Sequence, residues 1–258
     1  MDMDSSVAWP PLEPERVPKS EELPPLDDAW AAPELDIDKN ALLERGESLT
    51  IDHDIKVLAR ANRLALHRDP FSRHPANEDT GGMDIVEVPL YCVAHAHPDC
   101  RFRWVRITLD LGSNEGVVIQ DMSPRDEVAD HPVKITTTYH GGLSFTIASV
   151  PLAPEVSVER SMERDVYFPT VTVSGAKLTH AIWDFTAIAG GPLHVNRDLR
   201  LLVGVPSSLA EIEVGLTLRA AVVAAGVTGV IPLIGRHTVK IEKADTLKAQ
   251  PKPPPASP

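Results

Sequence analysis

Residues Val133 to Ile147 read Val-Lys-Ile-Thr-Thr-Thr-Tyr-His-Gly-Gly-Leu-Ser-Phe-Thr-Ile, and apolar or β-branched residues alternate on both sides of two glycines. A period of two puts alternate side chains on one face of a strand, so this stretch predicts a β-hairpin. A slip of one residue turns a whole strand over, so the favoured loop is His140-Gly141-Gly142, which keeps both apolar sets on one face. The facing pairs are then Tyr139 with Leu143, Thr137 with Phe145, and Ile135 with Ile147.

The same alternation recurs in short segments along most of the chain after residue 83. Turn-forming residues separate these segments, and no amphipathic helix long enough for a parallel crossover lies between them. The sequence therefore predicts a mainly β fold, an antiparallel β-sandwich or a related partly open barrel. The predicted strands span residues 86–94, 102–111, 117–120, 133–149, 156–166, 171–185, 199–205, 212–222 and 239–241.

The alternation changes parity inside one of these strands. Val105, Ile107 and Leu109 share one face, whereas Phe102 and Trp104 fall on the opposite parity. A bulge inserts one extra residue and so shifts the apolar residues to the other parity. A strand that is covered on both faces can carry apolar residues at either parity. The pattern predicts one of these two arrangements near Trp104.

Charge and proline content divide the chain into four regions. The net charge is −12, and residues 1–50 alone hold 13 acidic and four basic residues. We interpret 1–50 as a disordered, acidic, proline-rich arm, because it cannot bury enough apolar surface to offset its ordering entropy. Residues 51–82 are predicted to form one short basic helix, from Asp54 to Arg68, and a loop. The β-sandwich is placed at 83–243, and 244–258 is a disordered proline-rich tail.

Composition also bears on the classes of partner and location. The folded body is nearly neutral, and a nucleic acid partner would need a clustered basic surface, so no nucleic acid is expected. The start of the chain lacks the basic and apolar parts of a secretory signal, and two cysteines do not suggest an oxidised scaffold. The 220–235 apolar run contains Pro232 and is short for a membrane helix, so no membrane span is expected. We expect a cytoplasmic and, from its abundant Arg, Ala and Pro, bacterial protein.

The arm contains two similar peptides, Trp9-Pro-Pro-Leu12-Glu13 and Leu23-Pro-Pro-Leu26-Asp27-Asp28-Ala29-Trp30. A disordered segment that binds a partner regains its ordering cost through a few large apolar anchors. The predicted partner-binding residues of the arm are therefore Trp9, Leu12, Leu26 and Trp30. The alternative is a chance repeat in a proline-rich tract.

A second candidate surface follows the predicted strand that ends at Phe185. Trp183 and Phe185 share one parity, and a long loop follows with two glycines and the polar residues His194, Asn196 and Arg197. Loops on a rigid sandwich often carry binding residues, so all five are predicted to contact a partner. The alternative is that the two aromatic side chains are core.

The spacing Cys92-x-x-His95-x-His97-x-x-Cys100 supplies four ligands of the kind that zinc prefers. On a strand, however, Cys92 shares parity with Val88 and Leu90, and both histidines point to the other face. A tetrahedral site needs all four side chains to converge, so we expect a buried Cys92 and no metal or other cofactor.

These patterns favour a non-enzymatic binding or assembly module that recruits a protein partner, as one component of a bacterial multi-protein system. They also allow a homo-oligomer. One alternative is a metal-dependent hydrolase that uses the Cys92–Cys100 cluster. The other is a β-rich protein that oligomerises or inserts into a membrane, with Ala220 to Gly235 as its apolar element.

Overall fold

The structure is a computed structural model that describes residues 29–46, 51, 53–76, 82–129, 133–139, 145–148, 160–188, 193, 195–227, 229–242 and 246–248. Two helices lie in this part of the chain, α1 (Lys39–Glu44) and α2 (His53–Ala61). The strands are β1 (Asp36–Ile37), β2 (Arg63–Arg68), β3 (Phe71–His74), β4 (Met83–His95), β5 (Cys100–Asp110), β6 (Val118–Ser123), β7 (Glu127–Val128), β8 (Val133–Tyr139), β9 (Phe145–Ala148), β10 (Arg160–Val166), β11 (Pro169–Ser174), β12 (His180–Thr186), β13 (Arg197–Pro206), β14 (Glu211–Ala224), β15 (Ile231–Glu242) and β16 (Thr246–Lys248).

Two sheets pack face to face, so the predicted fold class, a mainly β sandwich, is confirmed. The seven-stranded sheet has the order β1-β15-β14-β5-β12-β11-β7. The six-stranded sheet has the order β16-β3-β4-β13-β6, and β2 also pairs with β4. The β3–β16 pair is parallel, and every other described pair is antiparallel. Alternate residues of the two inner faces form the core, for example Val88 on β4 and Ile107 on β5.

The apolar run from Ala220 to Gly235 belongs to this core. It comprises the end of β14, a turn and the start of β15, which lie antiparallel with Val222 opposite Ile231. Both of these side chains are fully buried. The buried side chains of the run thus already lie between the sheets, and its contact with a membrane stays a prediction. Among the described residues, neither helix has the length and apolar character that crossing a bilayer requires.

The parity change near Trp104 is a β-bulge. Ala221 of β14 lies opposite Trp104, whereas the next residue, Val222, lies opposite Phe102. Arg103 is the extra residue, so Phe102 and Val105 both face the core and Trp104 turns outward. Of the two arrangements that the sequence allows, the bulge is the one formed.

The 133–149 hairpin has a different register from the predicted one. β8 and β9 are antiparallel, but Tyr139 lies opposite Phe145 and Thr137 lies opposite Ile147. The predicted pairing of Tyr139 with Leu143 is therefore wrong by two residues, and the loop at 140–142 lies outside the described residues. Alternation specifies parity but not loop length, so a shift of one full strand period escapes it. β8 also pairs with β10, which makes a separate three-stranded sheet in the order β10-β8-β9.

Residues 31–46 are part of the fold, so the predicted arm boundary at residue 50 is wrong. Residues 31–38, here called the strap, hydrogen-bond to both sheets: Ala31 exchanges two backbone bonds with Leu66, and Asp38 N donates to Pro232 O. β1 lies within the strap and pairs with β15. Leu35 is 1% exposed, and a Cβ at Gly235 would lie 3.0 Å from Pro33, so a side chain at position 235 would require the strap to shift outward slightly.

The predicted start of the sandwich at residue 83 is also too late. The predicted helix from Asp54 to Arg68 ends at Ala61, where the Asn62 side chain donates to Leu58 O at 2.8 Å and the chain turns into β2. β2 and β3 both pair with β4, so 63–74 belongs to the six-stranded sheet rather than to a loop. β16 lies inside the predicted disordered tail and pairs with β3.

One buried carboxylate fastens β3 to the rest of the six-stranded sheet. Asp84 accepts hydrogen bonds from Ser207 Oγ at 2.6 Å, Arg73 Nε at 2.7 Å and Ala76 N at 3.0 Å. The hydrogen bond from Ser207 does most to lower the pKa of Asp84, burial opposes it, and the Arg73 guanidinium lowers it further. Arg73 also donates to Leu209 O, so this cluster joins β3, β4 and the β13–β14 turn.

Candidate interaction surface

The aromatic pair on β12 does not form a surface. Trp183 and Phe185 are both completely buried, because β12 lies between β5 and β11 and turns this parity toward the second sheet. The indole Nε1 of Trp183 is buried and donates to no acceptor among the described residues. The prediction that these two residues contact a partner is wrong, and the alternative that they are core residues holds.

The polar residues after β12 hold the fold together where they are described. Asn196 Oδ1 accepts a hydrogen bond from Ala94 N at 2.8 Å. Arg197 Nη1 donates to Glu127 Oε2 at 2.7 Å and thereby links β13 of one sheet to β7 of the other. His194 lies outside the described residues. A role of Asn196 and Arg197 in partner binding stays a prediction, although both side chains already have partners inside the protein.

Among the arm anchors, Trp9, Leu12 and Leu26 lie outside the described residues, and only Trp30 can be placed. Its ring meets Phe71 edge to face, with 6.0 Å between centroids and an angle of 74°. Trp30 is half-buried against the core, directly before the strap. It is therefore part of the fold, and it is not a free anchor at the end of a flexible arm.

The cysteines and histidines of the Cys92–Cys100 segment do not converge. Cys92 is buried on β4, and burial raises the pKa of its thiol to about 12. Cys100 is buried at the start of β5 in the other sheet, whereas His95 is exposed and His97 Nδ1 lies 3.6 Å from Asp99. No group of three His, Cys, Asp or Glu side chains in the described ranges could hold a metal ion. The hydrolase alternative thus lacks the geometry that it requires within this segment.

Exposed apolar side chains gather at one end of the seven-stranded sheet. Four of them form what we call the rim patch, and each is more than a third exposed. The members and their exposed fractions are Val128 60%, Tyr167 53%, Phe168 43% and Ile188 39%.

Backbone pairing brings the rim patch together. Val128 lies opposite Pro169 in the β7–β11 pair, and Ala129 N donates to Phe168 O at 2.9 Å. Val171 of β11 lies opposite Phe185 of β12. Phe168 comes three residues before Val171, and Ile188 comes three residues after Phe185. Because the two strands are antiparallel, both residues lie at the same end of the β11–β12 pair. The patch therefore joins an edge strand to the ends of its two neighbours.

The rim patch lies at an outer edge of its sheet. β7 is only two residues long and is the outermost strand of the sheet, so its outer backbone groups face no neighbouring strand among the described residues. The patch also lies where the chain leaves the sandwich for the three-stranded sheet and returns from it, between β7 and β8 and between β10 and β11. Arg125, which is 83% exposed, stands just before β7.

The rim patch offers contact area rather than chemistry. Its four members include no acid, base or nucleophile that is activated by a neighbour, and the nearest ion pair, Arg197 with Glu127, links the two sheets. Sequence reasoning missed this patch and placed the candidate surfaces in the arm and in β12 with the loop that follows it. A signal was present, because two adjacent aromatic residues, Tyr167 and Phe168, stand between predicted strands and directly before Pro169. Neighbours along an extended chain cannot both face one core.

No family model matches this chain, and no curated protein matches it. Two solved structures from Clostridium perfringens show a weak likeness. The delta-toxin is 10% identical with a TM-score of 0.29, over 70% of this chain and 88% of the toxin. The NetB toxin in its membrane-inserted form is 9% identical with a TM-score of 0.27, over 70% of this chain and 97% of the toxin. At such scores the likeness carries no argument about this protein.

Proposed function

We propose that this protein is a non-enzymatic binding or assembly module whose rim patch contacts a protein partner. The observation that carries the proposal is the grouping of four exposed, large apolar side chains at one end of the seven-stranded sheet. Isolated apolar residues on a surface need no explanation, but several that backbone pairing brings to one sheet edge are typical of an interaction site.

The energetics fit a partner that covers the patch. Removing one large apolar side chain from water contributes about 1.5–3 kcal/mol. Association costs at least about 4 kcal/mol in lost freedom, so two or three such side chains must be well covered before binding is stable. Tyr167 and Phe168 are the kind of residue that dominates measured interfaces, and they lie at the centre of the patch along the chain.

The acidic arm supplies the second contact in this proposal. Residues 1–28 carry eight acidic and two basic residues together with Trp9, Leu12 and Leu26. A tethered second contact raises the effective concentration of the first, so a weak arm and a moderate patch together give firm binding. The structure moves one expected anchor, Trp30, out of the arm and into the fold. The arm should therefore be tested as residues 1–28.

A photo-crosslinking amino acid at position 167, introduced in the native host, tests the proposal. The expected product is a covalent adduct with one protein, which mass spectrometry identifies. Binding of that purified protein should then weaken at least tenfold in the Tyr167→Ser/Phe168→Ser double variant, because loss of a hot-spot pair costs about 2 kcal/mol or more. If the adduct is a second copy of this chain, the assembly is a homo-oligomer and sedimentation should show the variant as a smaller species.

Leu178→Ser provides the matched control. Leu178 is 62% exposed in the turn between β11 and β12, at the opposite end of that pair from the rim patch. This substitution removes a comparable apolar side chain and should leave binding unchanged. A partner that binds the double variant as tightly as the parent, or an adduct that forms equally well at position 178, would rule out the rim patch as the contact.

A further inference from the structure

A hydroxyl, an imidazole and a carboxylate meet at one end of the seven-stranded sheet. His180 begins β12 and lies directly opposite Asp110, the last residue of β5. Thr179 precedes His180 in the turn after β11, and its carbonyl oxygen accepts a hydrogen bond from Leu111 N at 2.9 Å. Backbone pairing therefore places Thr179, His180 and Asp110 beside one another, and we call these three residues the triad.

The side chains of the triad are in contact. Thr179 Oγ1 lies 3.1 Å from His180 Nδ1, within hydrogen-bond distance. Asp110 Oδ1 lies 3.1 Å from the other ring nitrogen, Nε2. Gly112 N donates to the same carboxylate oxygen at 2.8 Å and so holds it beside the imidazole. The order is hydroxyl, imidazole, carboxylate, and each ring nitrogen lies next to one of the other two groups.

Gly112 keeps the space beside the triad open. A Cβ at this position would lie 3.7 Å from Thr179 Oγ1, 3.7 Å from His180 Cε1 and 3.0 Å from Asp110 Oδ1. A side chain here would therefore contact all three groups, and the last contact would force the carboxylate to move. Because His180 and Asp110 are each about half exposed and Thr179 is partly exposed, a small molecule can reach the hydroxyl from solvent.

We propose that Thr179 is a site of covalent acylation by an activated carboxylic ester. A threonine hydroxyl is a weak nucleophile until a base takes its proton, and the imidazole of the triad is a base within reach. Thr179 Oγ1 attacks the carbonyl carbon of the ester while His180 Nδ1 accepts the hydroxyl proton.

The rest of the step balances within the triad and the ester. The C–O bond to the leaving alcohol breaks, the alcohol oxygen keeps the electron pair and takes up the proton from the imidazolium, and Thr179 is left as an ester. The Asp110 carboxylate stabilises the positive charge that forms on the imidazole during the transfer. The triad lies at the opposite end of the β11–β12 pair from the rim patch, so this site does not depend on the proposed function.

Ser72 on β3 provides an internal control, because it has the same three groups in a different order. Ser72 Oγ lies 3.4 Å from His74 Nε2 and donates to Glu87 Oε2 at 3.4 Å. The carboxylate there competes with the imidazole for the hydroxyl hydrogen, and its other oxygen lies 2.6 Å from Arg200 Nε. A serine hydroxyl is less crowded than a threonine hydroxyl, so faster acylation of Thr179 than of Ser72 would have to come from the arrangement of the triad.

Incubation of the full-length protein with p-nitrophenyl acetate, followed by peptide mapping in a mass spectrometer, tests the proposal. Thr179 should gain an acetyl group at least about tenfold faster than Ser72, because a positioned base accelerates such a step about 10²–10⁴-fold. His180→Gln should slow the labelling of Thr179 by at least about tenfold for the same reason. Thr179→Ser should keep the label at position 179, and Thr179→Val should lose it.

The result does not rest on the variants alone. Circular dichroism checks that each variant is folded, and the comparison of Thr179 with Ser72 is made within the parent protein. Equal labelling of these two residues, or labelling of Thr179 that His180→Gln leaves unchanged, overturns the proposal. The absence of an acetyl group on Thr179 in the parent overturns it as well.

Discussion

Two aromatic pairs lie close together on one sheet of this protein and have opposite fates. Trp183 and Phe185 sit two residues apart on β12 and are completely buried, whereas Tyr167 and Phe168 are adjacent just before β11 and are about half exposed. Spacing decides the difference: residues two apart share a face and both reach the core, and adjacent residues at a strand end cannot. A surface is therefore better sought where aromatic residues break the alternation than where they follow it.

The contrast between buried and exposed apolar residues has its largest expected effect at the boundary between the arm and the fold. Deleting residues 1–40 removes Trp30 and the whole strap, including buried Leu35 and Ile37. The free energy of unfolding should fall by more than about 5 kcal/mol, because the loss of each large buried side chain alone costs about 2–5 kcal/mol. Deleting residues 1–28 leaves these residues in place and should leave the free energy of unfolding nearly unchanged. Urea unfolding of the two truncations measures both values. Equal losses would mean that the strap is not part of the stable core.

The next effect concerns the two aromatic pairs themselves. Trp183→Ala should lower the free energy of unfolding by about 3–5 kcal/mol, because it leaves a large cavity between the sheets. Tyr167→Ala, at a half-exposed position, should change it by less than about 0.5–1 kcal/mol. Denaturant unfolding of both variants under one set of conditions gives the contrast. If Tyr167→Ala proves the more costly change, the rim patch is covered in the free protein and the comparison fails.

A smaller effect on stability is expected for the same contrast between buried and exposed positions when the side chains are charged. Ser207→Ala removes the shortest hydrogen bond to buried Asp84 and should cost about 1–3 kcal/mol at neutral pH. The pKa of Asp84 is lower in the folded protein than its usual value of 3.8, so the stability that this carboxylate contributes is complete above pH 3.8 and is lost as the pH falls through the folded pKa. The gap between parent and variant should therefore shrink in acid.

The exposed pair of Lys240 and Glu211 provides the control for this measurement. Its contact is equally short, 2.7 Å, but the side chains are about half exposed and water screens the pair. Glu211→Gln should change the unfolding free energy little at any pH. A larger loss from Glu211→Gln than from Ser207→Ala would contradict the assignment of Asp84 as the stabilising carboxylate of the six-stranded sheet.

Alternation alone was enough to predict the fold class and to locate the irregularity near Trp104, because both depend only on which parity is apolar, but it left a bulge and a strand covered on both sides equally open. It could not predict that 63–74 joins the sheet, since β2 has three successive buried residues and shows no period of two. The hairpin register and the strap depend on loop length and on long-range pairing, which no local pattern encodes.

The candidate surface was harder to predict than the fold. Whether Trp183 is inside depends on the strands that flank it, and the rim patch exists only because 128, 168 and 188 meet through pairing across three strands. The separation of Cys92 from His95, by contrast, followed from strand parity, which places Cys92 inward and His95 outward. A predicted site is reliable when one strand determines it and unreliable when several strands must meet.

The strap has a kinetic consequence. Ile37 of β1 lies opposite Leu233 of β15, and Phe71 of β3 lies opposite Thr246 of β16, so both pairs join strands that are far apart in sequence. During synthesis on a ribosome, β1 has no partner among the described strands until β15 emerges, and β3, which pairs early with β4, gains its second partner only when β16 emerges. Contacts of such long sequence separation slow folding, because the loop must close before the contacts repay its entropy. We therefore expect the sandwich edge to be sealed late in folding, after β15 and β16 have emerged.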